Sequence, residues 1–216
     1  MNEHGSPRKA TPITQGSPQP APPQTPAEGS LPCRGGEHTR QPNSRGCFIC
    51  GLGNPLGLKM VFYEDAASGR VRADLTVPDV FRSYPGVVHG GIVATILDET
   101  SGRALMLHTG DINTFFVTAK MEMRYRRATP TNTPLVAVGW VERMSQARAR
   151  VKGELCLQDG TVLAQCDSLV VHPQSEFLDR WDEEIPYWRV YSDEELDDAG
   201  LSIGRLSLDN NRGPTL

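Results

Sequence analysis

Two consecutive glycines, Gly90 and Gly91, lead directly into the longest helical pattern of the sequence. Because glycine has no side chain, a ligand can approach the backbone closely at these positions. The first amides of a helix have no acceptor inside the helix and carry partial positive charge. The pair could therefore donate hydrogen bonds to a carbonyl oxygen that becomes negative during a reaction. The alternative is a tight strand-to-helix turn without a chemical role.

Asp98 is a carboxylate about two turns into this otherwise apolar helix. A carboxylate in apolar surroundings pairs with another group, caps a backbone or takes part in chemistry. Its neighbour Glu99 lies four residues before Arg103, the spacing of an ordinary ion pair on a helix surface, so we assign Glu99 a structural role. The positions at helical spacing from Asp98 hold no base, only Ala94, Thr95, Ser101 and Gly102. We therefore expect Asp98 to lie beside a cleft.

His89 immediately precedes the two glycines and could act as a base near neutral pH. A histidine in a glycine-flanked turn more often has a hydrogen-bonded structural role, which is the interpretation that we favour. The sequence also lacks the Gly-x-Ser-x-Gly pattern that presents a serine nucleophile on a strand-to-helix turn. The candidate chemistry therefore depends on one carboxylate and on backbone amides.

These residues carry a family resemblance. His89-Gly90-Gly91 followed by Asp98 resembles the signature of the PaaI-like hotdog thioesterases, relatives of 4-hydroxybenzoyl-CoA thioesterase. The earlier segment Cys47-Phe-Ile-Cys50-Gly, with Asn54-Pro55-Leu-Gly57-Leu58 after it, resembles the opening of many members. The resemblance covers residues 46–172, including the order of the strands. It implies the hotdog fold, an α+β arrangement with an antiparallel sheet wrapped around one long central helix, and hydrolysis of acyl-CoA thioesters.

The resemblance also implies roles for single residues. Asp98 matches the family's acid on the central helix, which is either nucleophile or general base, and Gly90, with Gly91 adjacent, matches the amide of the oxyanion hole. Thr118 matches the polar residue that holds the attacking water. Ser83 stands six positions before the histidine, where the family often has a longer Asn or Gln that supports the site. Since acid and amide come from opposite subunits in the family, a homodimer or dimer of dimers is expected.

Three arginines, Arg124, Arg126 and Arg127, could meet the phosphates of coenzyme A. The alternative is a solvated strand face. Two function classes remain: a hydrolase of acyl-CoA thioesters, and a hotdog module that binds acyl-CoA without turnover as a sensor or scaffold. Asp98 favours the hydrolase, because a pure binder needs no buried nucleophile. A hotdog dehydratase is less favoured, because no Asp/His pair in hydratase arrangement is seen.

The alternation of polar and apolar residues predicts the elements that position these groups. Strands are expected over residues 58–63, 70–77, 119–126, 135–141, 148–155 and 162–171. Asp159-Gly160 predicts a hairpin turn before the last strand. A helix that is apolar on most sides is expected over about residues 91–107, and such a helix must be buried. An antiparallel sheet around one helix satisfies this order of elements.

Composition divides the 216 residues into three parts. Residues 1–45 contain nine of the 17 prolines. They have too little apolar surface to offset the entropy of ordering, so we predict that they form a disordered tail. Residues 46–172 are the predicted domain. Residues 173–216 carry 11 acids against 4 bases and are predicted to be a partly ordered acidic extension. Ser192 and Glu195 have capping-box spacing there, and aromatic residues could dock the segment onto the domain: Trp181, Tyr187 and Trp188.

The net charge of −4 argues against a protein that binds duplex nucleic acid through a basic face. Nothing approaches the roughly 18 apolar residues of a membrane span, and no secretory signal is visible, so we expect a cytoplasmic protein without a membrane partner.

Cys47 and Cys50 have the spacing of metal ligands, and with Cys33 and His38 upstream they could hold zinc. We expect no metal and no cofactor, because the four ligands straddle a Pro/Gly-rich segment and the family resemblance accounts for the cysteine pair. A redox role is disfavoured, because no βαβ pattern surrounds the pair.

Overall fold

The computed structural model describes residues 39–174 and 181–199. Its strands are β1 (Thr39–Arg40), β2 (Tyr63–Asp65), β3 (Arg70–Thr76), β4 (Arg82–Tyr84), β5 (Val87–Val88), β6 (Val117–Tyr125), β7 (Pro134–Met144), β8 (Arg148–Leu157) and β9 (Val162–Val171). The helices are α1 (Gly90–Thr109) and α2 (Asp193–Asp198), with single 3-10 turns at Asp79–Phe81, Trp181–Glu183 and Ile185–Tyr187.

Seven strands form one antiparallel sheet in the order β1-β2-β3-β7-β8-β9-β6, and β4 pairs with β5 in a separate ribbon. The long helix α1 packs against β3, β7, β8 and β9, and its buried face includes Val93, Ile96, Leu97 and Leu105. This is the predicted hotdog fold, with the sheet wrapped around one central helix. Within the ranges described, no helix is both long and apolar enough to span a bilayer.

A pair of glycines sets how closely α1 approaches the sheet. Gly139 on β7 and Gly153 on β8 are direct partners across the strands. A side chain on Gly139 would collide with the carbonyl oxygen of Thr100 in α1, and one on Gly153 would lie 3.3 Å from Leu97 Cδ2. The helix backbone therefore lies almost directly on the sheet at this point.

Most strand predictions are confirmed, but the one over residues 58–63 is wrong for most of its length. Only Tyr63 joins β2, whereas Leu58, Met60, Val61 and Phe62 are buried without strand pairing. Lys59 has a φ of 51°, which is incompatible with extended strand backbone. The apolar residues there reflect burial in a loop. The predicted hairpin at Asp159-Gly160 is present, with Gly160 at a φ of 87°.

The prediction of a disordered tail is wrong for residues 39–45, and residues 1–38 lie outside the described residues. Gln41 Nε2 donates to the carbonyl of Arg103 at 3.0 Å, and Asn43 Nδ2 donates to the carbonyls of Cys50 and Met60 at 2.7 and 2.9 Å. Both amides are buried. Composition does not reveal this segment because polar side chains, rather than apolar area, attach it to the domain.

The acidic extension is packed on the domain over residues 181–199. Ser192 and Glu195 form the expected capping box at the start of α2, and Leu196 is buried. Arg40 bonds to the carbonyl of Tyr191 and to Asp193, each at 2.6 Å. Residues 175–180 and 200–216 lie outside the described part of the chain.

Candidate active site

Asp98 and Thr118 meet at the rim of a groove of about 810 Å³. The Thr118 hydroxyl donates to Asp98 Oδ1 at 2.7 Å. The register of β6 against β9 shifts between Thr118 and Lys120. Met121 and Met123 pack against the core, so unbroken alternation would place Thr118 on the opposite face. The irregularity turns Thr118 towards α1, as bulges beside active sites often do.

We call this groove the larger groove, since a smaller one is described below. One side of it is lined by an aromatic wall, which consists of Phe115, Trp181 and Trp188. Phe115 lies 4.4 Å from the ring of Trp181 and 5.7 Å from that of Trp188. The Trp188 indole donates to the carbonyl of Ile112 at 3.0 Å. The C-terminal segment is therefore part of the groove, and an apolar group bound beside Asp98 would contact these rings.

The larger groove also contains a buried cation. Arg103 Nε donates to Glu99 Oε1 at 2.8 Å, which confirms the predicted pair, but Arg103 is only 2% exposed and does not lie on the helix surface. Its Nη1 donates to the carbonyl of Pro42 at 2.6 Å, and its guanidinium lies over the rings of Phe62 and Trp188. The pair is therefore a fixed internal element of the groove.

Cys47 and Cys50 lie beside Glu99 in the same groove, with the three ligand atoms within 4.8 Å of one another. A hydrogen bond from the Cys50 side chain lowers the pKa of the Cys47 thiol to about 7, against the opposing effect of burial. The partners suggested by the sequence, Cys33 and His38, lie outside the described residues. Glu99 is a potential ligand that sequence spacing did not reveal.

The start of α1 has a different arrangement. His89 is the N-cap residue, and its Nδ1 accepts the Gly91 N–H at 3.0 Å. This agrees with a structural role for His89 and corrects the assignment of Gly91, whose amide already has an acceptor. A side chain on Gly91 would lie 3.1 Å from His89 Nδ1, so the cap favours glycine there. The Gly90 N–H has no acceptor among the described residues.

Gly90 lines a smaller groove of about 400 Å³ together with Ser83, Tyr125, Arg126 and Arg127. The Tyr125 hydroxyl donates to the carbonyl of Gly90 at 2.9 Å, and burial raises the pKa of Tyr125. The structure thus brings together Gly90 and three of the four residues predicted to bind substrate. The fourth, Arg124, lines neither groove.

The two grooves are too far apart to act on one carbonyl within a single chain. Eight residues of α1 separate Gly90 from Asp98, which is about 12 Å along the helix axis. A nucleophile and an oxyanion donor must each lie about 3 Å from the reacting group. Each chain therefore has two separate grooves, one with Asp98 and one with Gly90.

Residues 85–164 match the family model of the thioesterase superfamily. The match covers less than half of the 216 residues, and over this range the chain is similar to the thioesterase superfamily. None of the curated proteins matches the sequence significantly. A crystal structure of a thioesterase superfamily protein is 29% identical, with a TM-score of 0.54 over 59% of this chain and 61% of that one. This chain therefore spans less than two thirds of that protein's length.

Two other solved structures are similar to this chain. A phenylacetic acid degradation-related protein from Ralstonia eutropha is 24% identical, with a TM-score of 0.46 over 53% of this chain and 86% of that one. Zebra fish thioesterase superfamily member 2 is 20% identical, with a TM-score of 0.48 over 56% of this chain and 91% of that one.

Two features of the larger groove were not predicted from the sequence. For the aromatic wall, the sequence predicted only that Trp181 and Trp188 dock the extension onto the domain. Two tryptophans in an acidic extension were nevertheless a signal that the extension covers an apolar surface. The burial of Arg103 had no local signal, because the groups that surround it come from residues 42–62 and from the C-terminal segment.

Proposed function

We propose that this protein is an acyl-CoA thioester hydrolase in which Asp98 is the nucleophile or the general base. The observation that carries the proposal is the 2.7 Å hydrogen bond from Thr118 to Asp98 at the edge of an 810 Å³ groove. The bond holds the carboxylate in one orientation. The similarity of residues 85–164 to the thioesterase superfamily supports the same reaction class.

Both roles of Asp98 give the same overall reaction. As nucleophile, Asp98 forms a bond to the thioester carbon, coenzyme A leaves as the thiolate, and water then hydrolyses the mixed anhydride. As general base, Asp98 takes a proton from water while the water oxygen attacks the carbon. In either case one water is consumed, and the products are a carboxylic acid and the free thiol. Thr118 donates to Asp98, and its oxygen can accept a hydrogen bond from the attacking water.

The oxyanion donor in this proposal is the Gly90 N–H of a second subunit. It has partial positive charge at the helix start and no acceptor among the described residues. A dimer can form through β6, which lies at one end of the sheet order. Pairing two copies along this edge would join the sheets and bring Gly90 of one chain towards Asp98 of the other.

The larger groove with Asp98 and the smaller groove with Gly90 are the two half-sites of this proposal, and they suit different parts of the substrate. Arg126 and Arg127 line the smaller groove with Gly90 and can bind the phosphates of coenzyme A. The aromatic wall beside Asp98 suits an apolar acyl group. In the assembled dimer the thioester would lie between these two regions.

The test is a coenzyme A release assay over short, long and aromatic acyl-CoAs, combined with sedimentation at assay concentration. We expect turnover by a dimer or a larger assembly, with a preference for apolar acyl groups. Binding of acyl-CoA without release of the thiol would favour a non-catalytic binding module. A fully active monomer would exclude the shared site.

A further inference from the structure

We propose that Cys47, Cys50 and Glu99 form a binding site for one zinc ion in the larger groove. Their ligand atoms lie within 4.8 Å of one another. Two thiolates bound tetrahedrally to zinc lie about 3.8 Å apart, given Zn–S bonds of about 2.3 Å. The observed spacing therefore needs only small side-chain adjustments to enclose the ion.

The turn that carries the cysteines holds the Cys47 sulfur in place, and the Cys50 sulfur lies 3.4 Å from the Ser44 hydroxyl. Gly51 N–H donates to the carbonyl of Cys47 at 2.9 Å and closes the turn. A side chain on Gly51 would collide with the backbone of Cys47, so only glycine fits after the second cysteine. The Ile49 N–H donates to Cys47 Sγ at 3.3 Å. Backbone amides that point at a sulfur stabilise the thiolate form that a metal requires.

Glu99 has the fixed orientation that a metal-bound carboxylate usually has. Arg103 holds Glu99 Oε1 at 2.8 Å, and the carbonyl of Pro42 holds Arg103 in turn. Such outer hydrogen bonds orient ligands in established metal sites. The charges also balance, because two thiolates and one carboxylate offset the zinc ion together with the Arg103 guanidinium.

The ligand set favours zinc over the hard cations. Thiolates select soft or borderline ions, whereas magnesium and calcium prefer sites made of oxygen ligands alone. Three protein ligands leave the fourth tetrahedral position for water from the groove. The ion would connect the segment around Cys47 to α1, one residue along the helix from Asp98.

The experiment uses the full chain, reduced and freed of metal, titrated with zinc against a chromophoric chelator. We expect one zinc per chain and a higher melting temperature with zinc. Cobalt should give the absorption spectrum of a tetrahedral thiolate site. Cys47→Ser or Cys50→Ser should weaken zinc binding by at least about 100-fold. The side chain in Glu99→Gln can still accept the hydrogen bond from Arg103. A loss of zinc affinity of about 10–100-fold in this variant would therefore report the loss of the carboxylate as a metal ligand.

Two matched controls separate this site from the rest of the molecule. Cys156→Ser removes a buried thiol of β8 that lines neither groove, and Asp98→Asn removes the proposed catalytic acid. Both should bind zinc like the unmodified chain. Because Asp98→Asn tests hydrolysis and the cysteine variants test metal binding, failure of one proposal is distinguishable from failure of the other. Circular dichroism establishes that each variant is folded.

The proposal fails if the reduced chain binds no stoichiometric zinc, or if the cysteine variants bind it as well as the unmodified chain does. It also fails if Glu99→Gln changes neither the affinity nor the cobalt spectrum. A chain that binds no zinc but forms a Cys47–Cys50 disulfide with glutathione disulfide would contain a redox pair instead.

Discussion

The larger and smaller grooves lie at different turns of the same helix, and they are built from different parts of the chain. The larger groove uses side chains: the Asp98 carboxylate, the buried Arg103 and aromatic rings from two segments distant in sequence. The smaller groove has arginine side chains for binding, but its proposed catalytic donor is backbone: the Gly90 amide at the helix start, next to the β4–β5 ribbon. The difference teaches that the two half-sites respond to different substitutions, because replacing a side chain leaves a backbone donor in place.

The largest effect is expected at the side-chain half-site. Asp98→Asn keeps the shape of the side chain and removes the capacity to attack or to accept a proton. We expect kcat to fall roughly 10²–10⁴-fold with little change in KM, measured by coenzyme A release. Asp159→Asn, the same substitution in the β8–β9 hairpin, is the control and should retain normal turnover. Near-normal turnover by Asp98→Asn would show that another group is the catalytic one.

The backbone half-site needs a substitution that removes an N–H. Proline fits the first position of a helix, and His89 has the extended conformation, φ −60° and ψ 134°, that proline requires of the residue before it. Gly90→Pro should therefore fold and lower kcat roughly 10²–10³-fold. Gly90→Ala keeps the amide, and its added carbon would lie 3.7 Å from the Tyr125 ring, an ordinary contact. Equal losses in the two variants would argue against the amide as oxyanion donor.

Mixing the two inactive variants tests whether the half-sites meet across subunits. A dimer of one Asp98→Asn chain and one Gly90→Pro chain contains one site with both natural contributions. After unfolding and refolding together at equal amounts, activity should return to about a quarter of the unmodified level, because half of the dimers are mixed and each has one intact site. Each variant refolded alone is the control. If the mixture stays inactive, each site lies within one chain.

The close contact between α1 and the sheet should make a larger residue at position 139 destabilising. Gly139→Ala places a carbon against the Thr100 carbonyl, two residues from Asp98 and ten from Gly90. Overpacking of this kind costs about 1–3 kcal/mol of the free energy of unfolding, measured by urea titration. Gly102→Ala, whose added carbon meets nothing within 4 Å, should not destabilise the protein. An unchanged midpoint for Gly139→Ala would mean that α1 can move off the sheet.

The smallest effect is expected at the aromatic wall. Trp181→Ala removes the ring that lies 4.4 Å from Phe115, and with it an apolar contact for the acyl group. The loss of about 0.5–1.5 kcal/mol of binding free energy should raise KM by up to about 10-fold and leave kcat nearly unchanged. The increase should be larger for long acyl groups than for acetyl-CoA. An equal increase for every acyl length would place the acyl group elsewhere.

The sequence was most informative where local pattern and burial coincide. The periodicity of α1 and the alternation of β9 survive in the structure because both elements pack continuously against the core. Asp98 stood out because a carboxylate in that helix needs an explanation. Thr118 was identified through the family resemblance, and alternation alone would have pointed it away from Asp98.

The features that were missed depend on contacts between residues far apart in the chain. Gln41 and Asn43 attach the segment 39–45 through amide hydrogen bonds to α1 and to a buried loop. In the sequence, Gly139 is indistinguishable from other strand residues. Its need for a small residue arises only from the contact with α1. The engagement of the Gly91 amide by His89 follows from a cap geometry that residue types alone do not determine.

The three tryptophans of the chain are divided between the larger groove and a distant surface. Trp181 and Trp188 line the groove, whereas Trp140 on β7 lies under the Arg70 guanidinium, 4.6 Å away, and lines neither groove. Indole emission changes when the polarity around the ring changes. The intrinsic fluorescence of Trp181 and Trp188 should therefore follow filling of the groove in real time without any attached dye, while Trp140 supplies a constant background signal.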